Sequence, residues 1–191
     1  MDTKSVLIGE ILKIELHWFL TVNPQLTAEC QQHPETFRLI RQSIFETWSE
    51  KTLRLYLESL IDAQSKGRNL MREKYAKIDN LIPCVNISPV IYEITKIEER
   101  WQKEALAKYP YVFKQEAGEG FVTYLRCELD AYSQVTLESY FNNLAMTLAG
   151  GRNLVIERYS RIAQKMGYSS LEEWNQQAEG STDEHQQGQR A

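Results

Sequence analysis

The sequence predicts an all-α protein: two tandem, pseudo-twofold-related helical units of three to four helices each, packed into one domain and closed by a short final helix. Three observations carry this. Apolar residues recur at helical spacing, and no alternating run marks a strand. The chain repeats itself about 84 residues on. Ser, Gly and Asn stand at corresponding helix boundaries in both copies.

The opening helix of each unit is the first repeated element. EILKIELHW (10–18) lies on EITKIEERW (93–101) at a shift of 83, sharing Glu10/Glu93, Ile11/Ile94, Lys13/Lys96, Ile14/Ile97, Glu15/Glu98 and Trp18/Trp101. Ile11, Ile14 and Trp18 fall at i, i+3 and i+7, as do Ile94, Ile97 and Trp101, so each set buries one face. Pro24 and Pro34 bound the loop that follows the first helix.

The second repeated element runs from Trp48 to Ile78 and again from Tyr132 to Ile162, with 12 identities in 31 positions at a shift of 84 and no gap. Leu53, Tyr56, Leu57 and Leu60 form one helical face; Leu137, Tyr140, Phe141 and Leu144 form its counterpart. Ser49 and Ser133 stand at N-cap positions, where a hydroxyl accepts from a free backbone N–H. Gly67 and Gly151 suit the left-handed residue that ends a helix, and Asn69 and Asn153 suit the cap of the next, so GRNL reads as a tight turn between helices.

Between the units, LIPCVNISP is bracketed by Pro83 and Pro89 and reads as a linker. Near the end, Ser169 and Glu172 read as a capping box opening the final helix. The resulting organisation is a first repeat over 5–79, a linker over 80–89, and a second repeat with the final helix over 90–177. Residues 178–191, nearly without apolar side chains, read as a disordered tail.

Composition narrows the function classes. The net charge of −4 comes from 22 basic and 26 acidic residues mixed along the chain, so no nucleic-acid partner is expected. No run approaches the roughly 20 apolar residues of a membrane span, and charged residues interrupt the apolar N-terminal stretch before it resembles a signal core. No membrane association and a cytoplasmic location are the corresponding expectations. Cys30, Cys84 and Cys127 are odd in number and widely spaced, which argues against a disulfide framework or a tetrathiolate zinc site. Cys84 and Cys127 read as small buried hydrophobes.

CQQHPETFRLIRQSIFETW (30–48), TLRLYLESL followed by GRNLMREKYAKI (52–78), WQKEALAKYP (101–110) and TYLRCELDAYSQVTLESY (123–140) together carry a resemblance. From about Glu10 to Trp174 the chain resembles an uncharacterised bacterial all-helical family of about 200 residues, catalogued as a domain of unknown function. It departs from the family pattern between Pro110 and Gly120, where relatives carry a longer polar insertion. The resemblance implies no particular reaction.

Standard catalytic signatures are absent: no nucleophile elbow, phosphate-binding glycine loop, HExxH or EF-hand loop, and no ExxH pair for a carboxylate-bridged di-metal site. The duplicated acids Glu15, Glu98, Glu73 and Glu157 could instead gather around the pseudo-twofold axis and hold a divalent metal through oxygen ligands. The competing reading has Glu15 and Glu98 facing solvent or pairing with Arg68 and Arg152, one ion pair per repeat, and duplication of a scaffold residue favours it.

Residues that break the repeat are the sharper candidates. His17 stands where the second unit has Arg100, and Cys30 with His33 sits in a proline-bounded loop that the second unit replaces with the glycine-bearing stretch from Lys114 to Gly120. A thiolate beside an imidazolium can serve as a nucleophile. Arg38 and Arg41, three apart on one helix, could grip a carboxylate or phosphate, or pair with Glu35 on a solvated face. His17, Cys30, Arg41 and Glu73 are therefore the candidate catalytic groups. Two functions follow: an enzyme or binder for a small-molecule ligand, with a polar and aromatic pocket between the repeats, or a non-enzymatic helical interaction module that could form a homodimer.

Overall fold

A computed structural model describes residues 2–22, 33–113 and 119–188, which form nine helices and no strand. In chain order these are α1 (Thr3–Leu20), α2 (Pro34–Phe45), α3 (Glu50–Ser65), α4 (Leu70–Ile78), α5 (Pro89–Lys108), α6 (Glu119–Leu129), α7 (Gln134–Ala149), α8 (Leu154–Lys165) and α9 (Leu171–Gly188). The domain is all-α.

The boundary residues act as their chemistry dictates. Ser49 Oγ accepts from Thr52 N and Ser133 Oγ from Thr136 N, opening α3 and α7. Asn69 and Asn153 cap α4 and α8 in the same way, accepting from Arg72 N and Ile156 N. Gly67 and Gly151 take φ of 67° and 69°, which lets Arg68 N and Arg152 N fold back onto Ala63 O and Thr147 O. Pro89 sits in the first turn of α5, where its missing N–H costs nothing.

Two boundaries differ from the sequence reading. The last cap is shifted by one residue: Ser170 Oγ accepts from Glu173 N, and the Glu173 carboxylate reaches back to the backbone and hydroxyl of Ser169. The final helix is also longer than expected, because α9 continues to Gly188 through the stretch read as a disordered tail. Once a turn is nucleated, each further residue adds a hydrogen bond, and Glu, Gln and Ala from Glu172 to Glu179 favour propagation. Residues 189–191 of that tail lie outside the described residues.

Packing follows a crossed scheme. α1 packs on α2, α3 and α4, and α5 packs on α6, α7 and α8. Across the middle, α3 lies against α7, α2 against α8, and α4 against α6. The α3–α7 contact carries a seam of hydroxyls, with Thr52 bonded to Ser139 at 2.9 Å and Ser59 to Ser133 at 2.8 Å. One continuous apolar core joins both halves, from Ile11 and Leu53 through Trp48 to Ile94 and Leu137. Trp48 links the two halves: its ring meets Tyr56, Tyr132 and Tyr140 at centroid distances of 5.5, 6.0 and 4.7 Å. Among the described residues, no helix is long and apolar enough to cross a membrane.

Candidate functional site

Helical spacing forces a carboxylate into the core. Glu15 lies on the buried stripe of α1 between Ile11 and Trp18, and it is fully enclosed. A buried carboxylate without partners is costly, so the surrounding helices must supply donors. Arg41 of α2 does so twice, Nε donating to Oε2 at 2.8 Å and Nη2 to Oε1 at 2.7 Å, and Tyr56 of α3 donates its hydroxyl to Oε1 at 2.7 Å.

Arg41 also reaches the other half. Its Nη1 donates to Glu128 Oε1 on α6 at 2.5 Å, where Tyr132 adds a donor at 2.7 Å. Lys74 of α4 donates to the second oxygen of Glu128 at 2.8 Å and sits against the Tyr124 ring, 3.9 Å from its centroid. Two carboxylates and two cations thus neutralise one another in the interior. Burial would push the Glu128 carboxyl up, but the charges of Arg41 and Lys74 outweigh it and hold the group well below the usual carboxylate range. Lys74 is held above its ordinary value because Glu128 overcomes the burial that would lower it. Tyr56 and Tyr132 are pushed up, by burial first and then by the carboxylates beside them.

The second half solves the same problem with fewer residues. Glu98 of α5, 1% exposed, receives Arg158 of α8 in a fork of 2.8 and 2.7 Å, and the Tyr140 hydroxyl donates to the same carboxylate. Arg158 stands at the repeat position of Lys74, and Tyr140 at that of Tyr56. The positions matching Arg41 and Glu128 at the same shift are Leu125 and Ile44. With no acid across the seam to serve, Arg158 turns directly onto Glu98, whereas Lys74 turns onto Glu128 and leaves Glu15 to Arg41.

The candidates read from the sequence fall in separate places. Glu15 and Glu98 are buried in the two networks, and their partners are Arg41 and Arg158 rather than Arg68 and Arg152. Those two arginines instead fork onto Glu73 and Glu157 at the surface, with contacts of 2.6–2.9 Å, because the GRNL turn sets each Arg five residues before its Glu at the start of a helix. Each of the four duplicated acids therefore has its own cation, and among the described residues no three His, Cys, Asp or Glu side chains stand together as a metal site. His17, His33 and Arg38 are exposed, so Arg38 and Arg41 do not share a site. Cys30 lies outside the described residues. Cys127 is buried as expected, but Cys84 is exposed because the proline-bounded linker runs over the surface.

Lys74, Glu128 and Arg158 were not singled out by sequence reasoning. For Lys74 and Arg158 a signal existed, since a cation recurs at the shift of 84 beside an identical tyrosine. Glu128 has no such echo.

Two spaces adjoin the first network. Between Glu15, Tyr56, Lys74, Glu128 and Tyr132 remains about 10 Å³, room for one water at most. Next to it, sharing Leu70, Ala131 and Tyr132, opens a surface cleft of about 470 Å³. One wall is α3, with Glu58, Ser59 and Asp62; the other is the turn from Asp130 to Ser133 with Val135 of α7; Arg68 also lines the cleft. Asp130 is neutralised by Lys77 at 2.5 Å, Arg68 by Glu73, and Asp62 by Lys66 at 2.7 Å. Glu58 is exposed and makes no hydrogen bond or ion pair among the described residues. The cleft therefore offers one uncommitted carboxylate beside serine hydroxyls.

Comparison with known proteins places the chain in a family. Residues 5–176 match the model described as Protein of unknown function (DUF4125), and the chain belongs to that family. No curated protein and no solved structure matches it.

Proposed function

We propose that this member of the family is a non-catalytic binder of a small polar metabolite that carries an amine, taken up in the cleft between α3 and the α6–α7 turn. The observation that carries this is the pairing of a 470 Å³ cleft, a volume suited to a small ligand, with walls drawn from both halves of the chain. Glu58 supplies the charge for an ammonium group, and Leu55 and Val135 supply apolar surface. Catalysis is disfavoured in the two networks because each carboxylate oxygen of Glu15, Glu98 and Glu128 already has a donor, and Glu128 and Lys74 are held far from a neutral pKa.

Calorimetry and thermal-shift measurements against a panel of polyamines, amino sugars and amino acids test this reading. The expected result is saturable binding of at least one amine, weakened about tenfold in Glu58→Gln, which corresponds to about 1.4 kcal/mol. Failure of every amine to bind, or binding indifferent to Glu58, overturns it.

A second reading, a helical interaction module or homodimer, draws on the linker. Leu81, Val85, Ile87 and Tyr92 are all more than two-thirds exposed along one stretch of chain, a concentration of apolar surface that contacts between proteins use. Light scattering across concentration would show a dimer that Ile87→Lys dissociates; a monomer at every concentration excludes the homodimer.

A further inference from the structure

Cys84 and Cys127 are 43 residues apart in sequence, yet their sulfurs stand 3.6 Å from each other. Their surroundings differ. Cys84 is exposed on the linker, while Cys127 is 3% exposed on α6, one residue before Glu128. The linker is also held just past the end of this helix, since Asn86 N donates to Asp130 Oδ1 at 2.7 Å. Residues 83–87 have no helical hydrogen bonds to break, so a rotamer change and a small linker shift can bring the sulfurs to the roughly 2.05 Å of a covalent bond.

We propose that this pair is a reversible oxidation site, in which a peroxide converts the two thiols to a Cys84–Cys127 disulfide that clamps the linker onto α6. The inference is independent of the amine-binding reading. The order of events follows from access. Burial, together with the neighbouring Cys84, pushes the Cys127 thiol up to about 11, so it stays protonated near neutral pH. Cys84 meets the oxidant first. Its thiolate attacks one peroxide oxygen, the O–O bond breaks, and Cys84 sulfenic acid forms with release of water once the leaving oxygen is protonated. The Cys127 sulfur then attacks the Cys84 sulfur; the S–O bond breaks, and the departing hydroxide takes the Cys127 proton as a second water. Two thiols and one hydrogen peroxide give one disulfide and two waters. A dithiol reductant reverses the change by exchange.

The test uses the full chain, reduced, freed of reductant, treated with hydrogen peroxide, and digested with free thiols blocked. The expected product is a peptide pair joining Cys84 to Cys127, lighter by two hydrogens than the sum of its parts, restored to two thiols by dithiothreitol. It forms equally in Cys30→Ser and is lost in Cys84→Ser, an exposed replacement that leaves the core untouched. Amide exchange over residues 84–88 slows in the oxidised form. Three results overturn the proposal: Cys84 accumulating as sulfinic acid while Cys127 remains a free thiol, linkage mainly to Cys30, or no reaction at either sulfur.

Discussion

Arg41 and Glu128 lie 87 residues apart and meet at 2.5 Å in the interior, joining the network of the first half to a helix of the second. The same guanidinium grips both oxygens of Glu15. Removing it would leave two buried carboxylates short of charge. Arg41→Met is expected to destabilise the protein by about 3–5 kcal/mol, the range for breaking a buried pair on one side. Arg38→Met, on the exposed face of the same helix, should stay within about 0.5 kcal/mol. Urea unfolding followed by circular dichroism separates the two, and equal effects would refute the assignment.

The networks also set a pH profile. The folded state keeps Glu128 ionised more firmly than the unfolded chain does, so its contribution is complete above the ordinary glutamate value of about 4.3 and is lost as pH falls below it. Lys74 has the opposite dependence: its raised value gives a contribution complete below the ordinary lysine value of about 10.4 and lost as pH climbs beyond it. Buried Tyr56, Tyr132 and Tyr140, all pushed up mainly by burial, add to the alkaline loss. A stability plateau between about pH 5 and 9 is expected. Glu128→Gln should make the acid limb shallower, which unfolding free energies at intervals of pH will show.

Tyr56 and Tyr140 donate to Glu15 and Glu98 from matching positions. Phenylalanine keeps the ring packing and removes only the hydroxyl. Tyr56→Phe and Tyr140→Phe should each cost about 1.5–3 kcal/mol, the range for a hydrogen bond to a charged group. Chemical denaturation measures this, and a neutral effect in both would mean that the arginines alone satisfy the carboxylates.

Gly67 and Gly151 have open space where a Cβ would stand, so substitution there carries a backbone cost and no steric one. Gly67→Ala and Gly151→Ala should each lose about 1–2 kcal/mol through the left-handed backbone. Gly9, exposed within α1 with equally open space, provides the contrast: Gly9→Ala should gain about 0.5–1 kcal/mol. Thermal unfolding of the three variants checks the signs.

Much of the fold was legible because its signals are local. Ser49, Ser133, Asn69 and Asn153 cap the helices at which they stand, and Gly67 and Gly151 close the preceding ones, since a cap needs only residues three or four positions away. The cap at Ser170 and the end of α9 were less well placed, where neighbouring serines compete and a nucleated helix runs on through weak residues. The candidate site was less legible still. Glu15 and Arg41 were both singled out, but in different roles, and Glu128 was missed because its importance depends on a partner 87 residues distant.

The sequence by itself determined the helices, their buried faces and the matched turns, because helical periodicity and capping act within a few residues. Only the tertiary structure decided which cation serves which buried acid, that Arg68 and Arg152 remain at the surface, that Cys84 meets Cys127, and where the cleft opens. Those outcomes rest on the crossed packing of α2 on α8 and α4 on α6. Charges in a low-dielectric interior pair with whatever the fold brings within reach, and that distance is set by packing between helices and not by spacing along the chain.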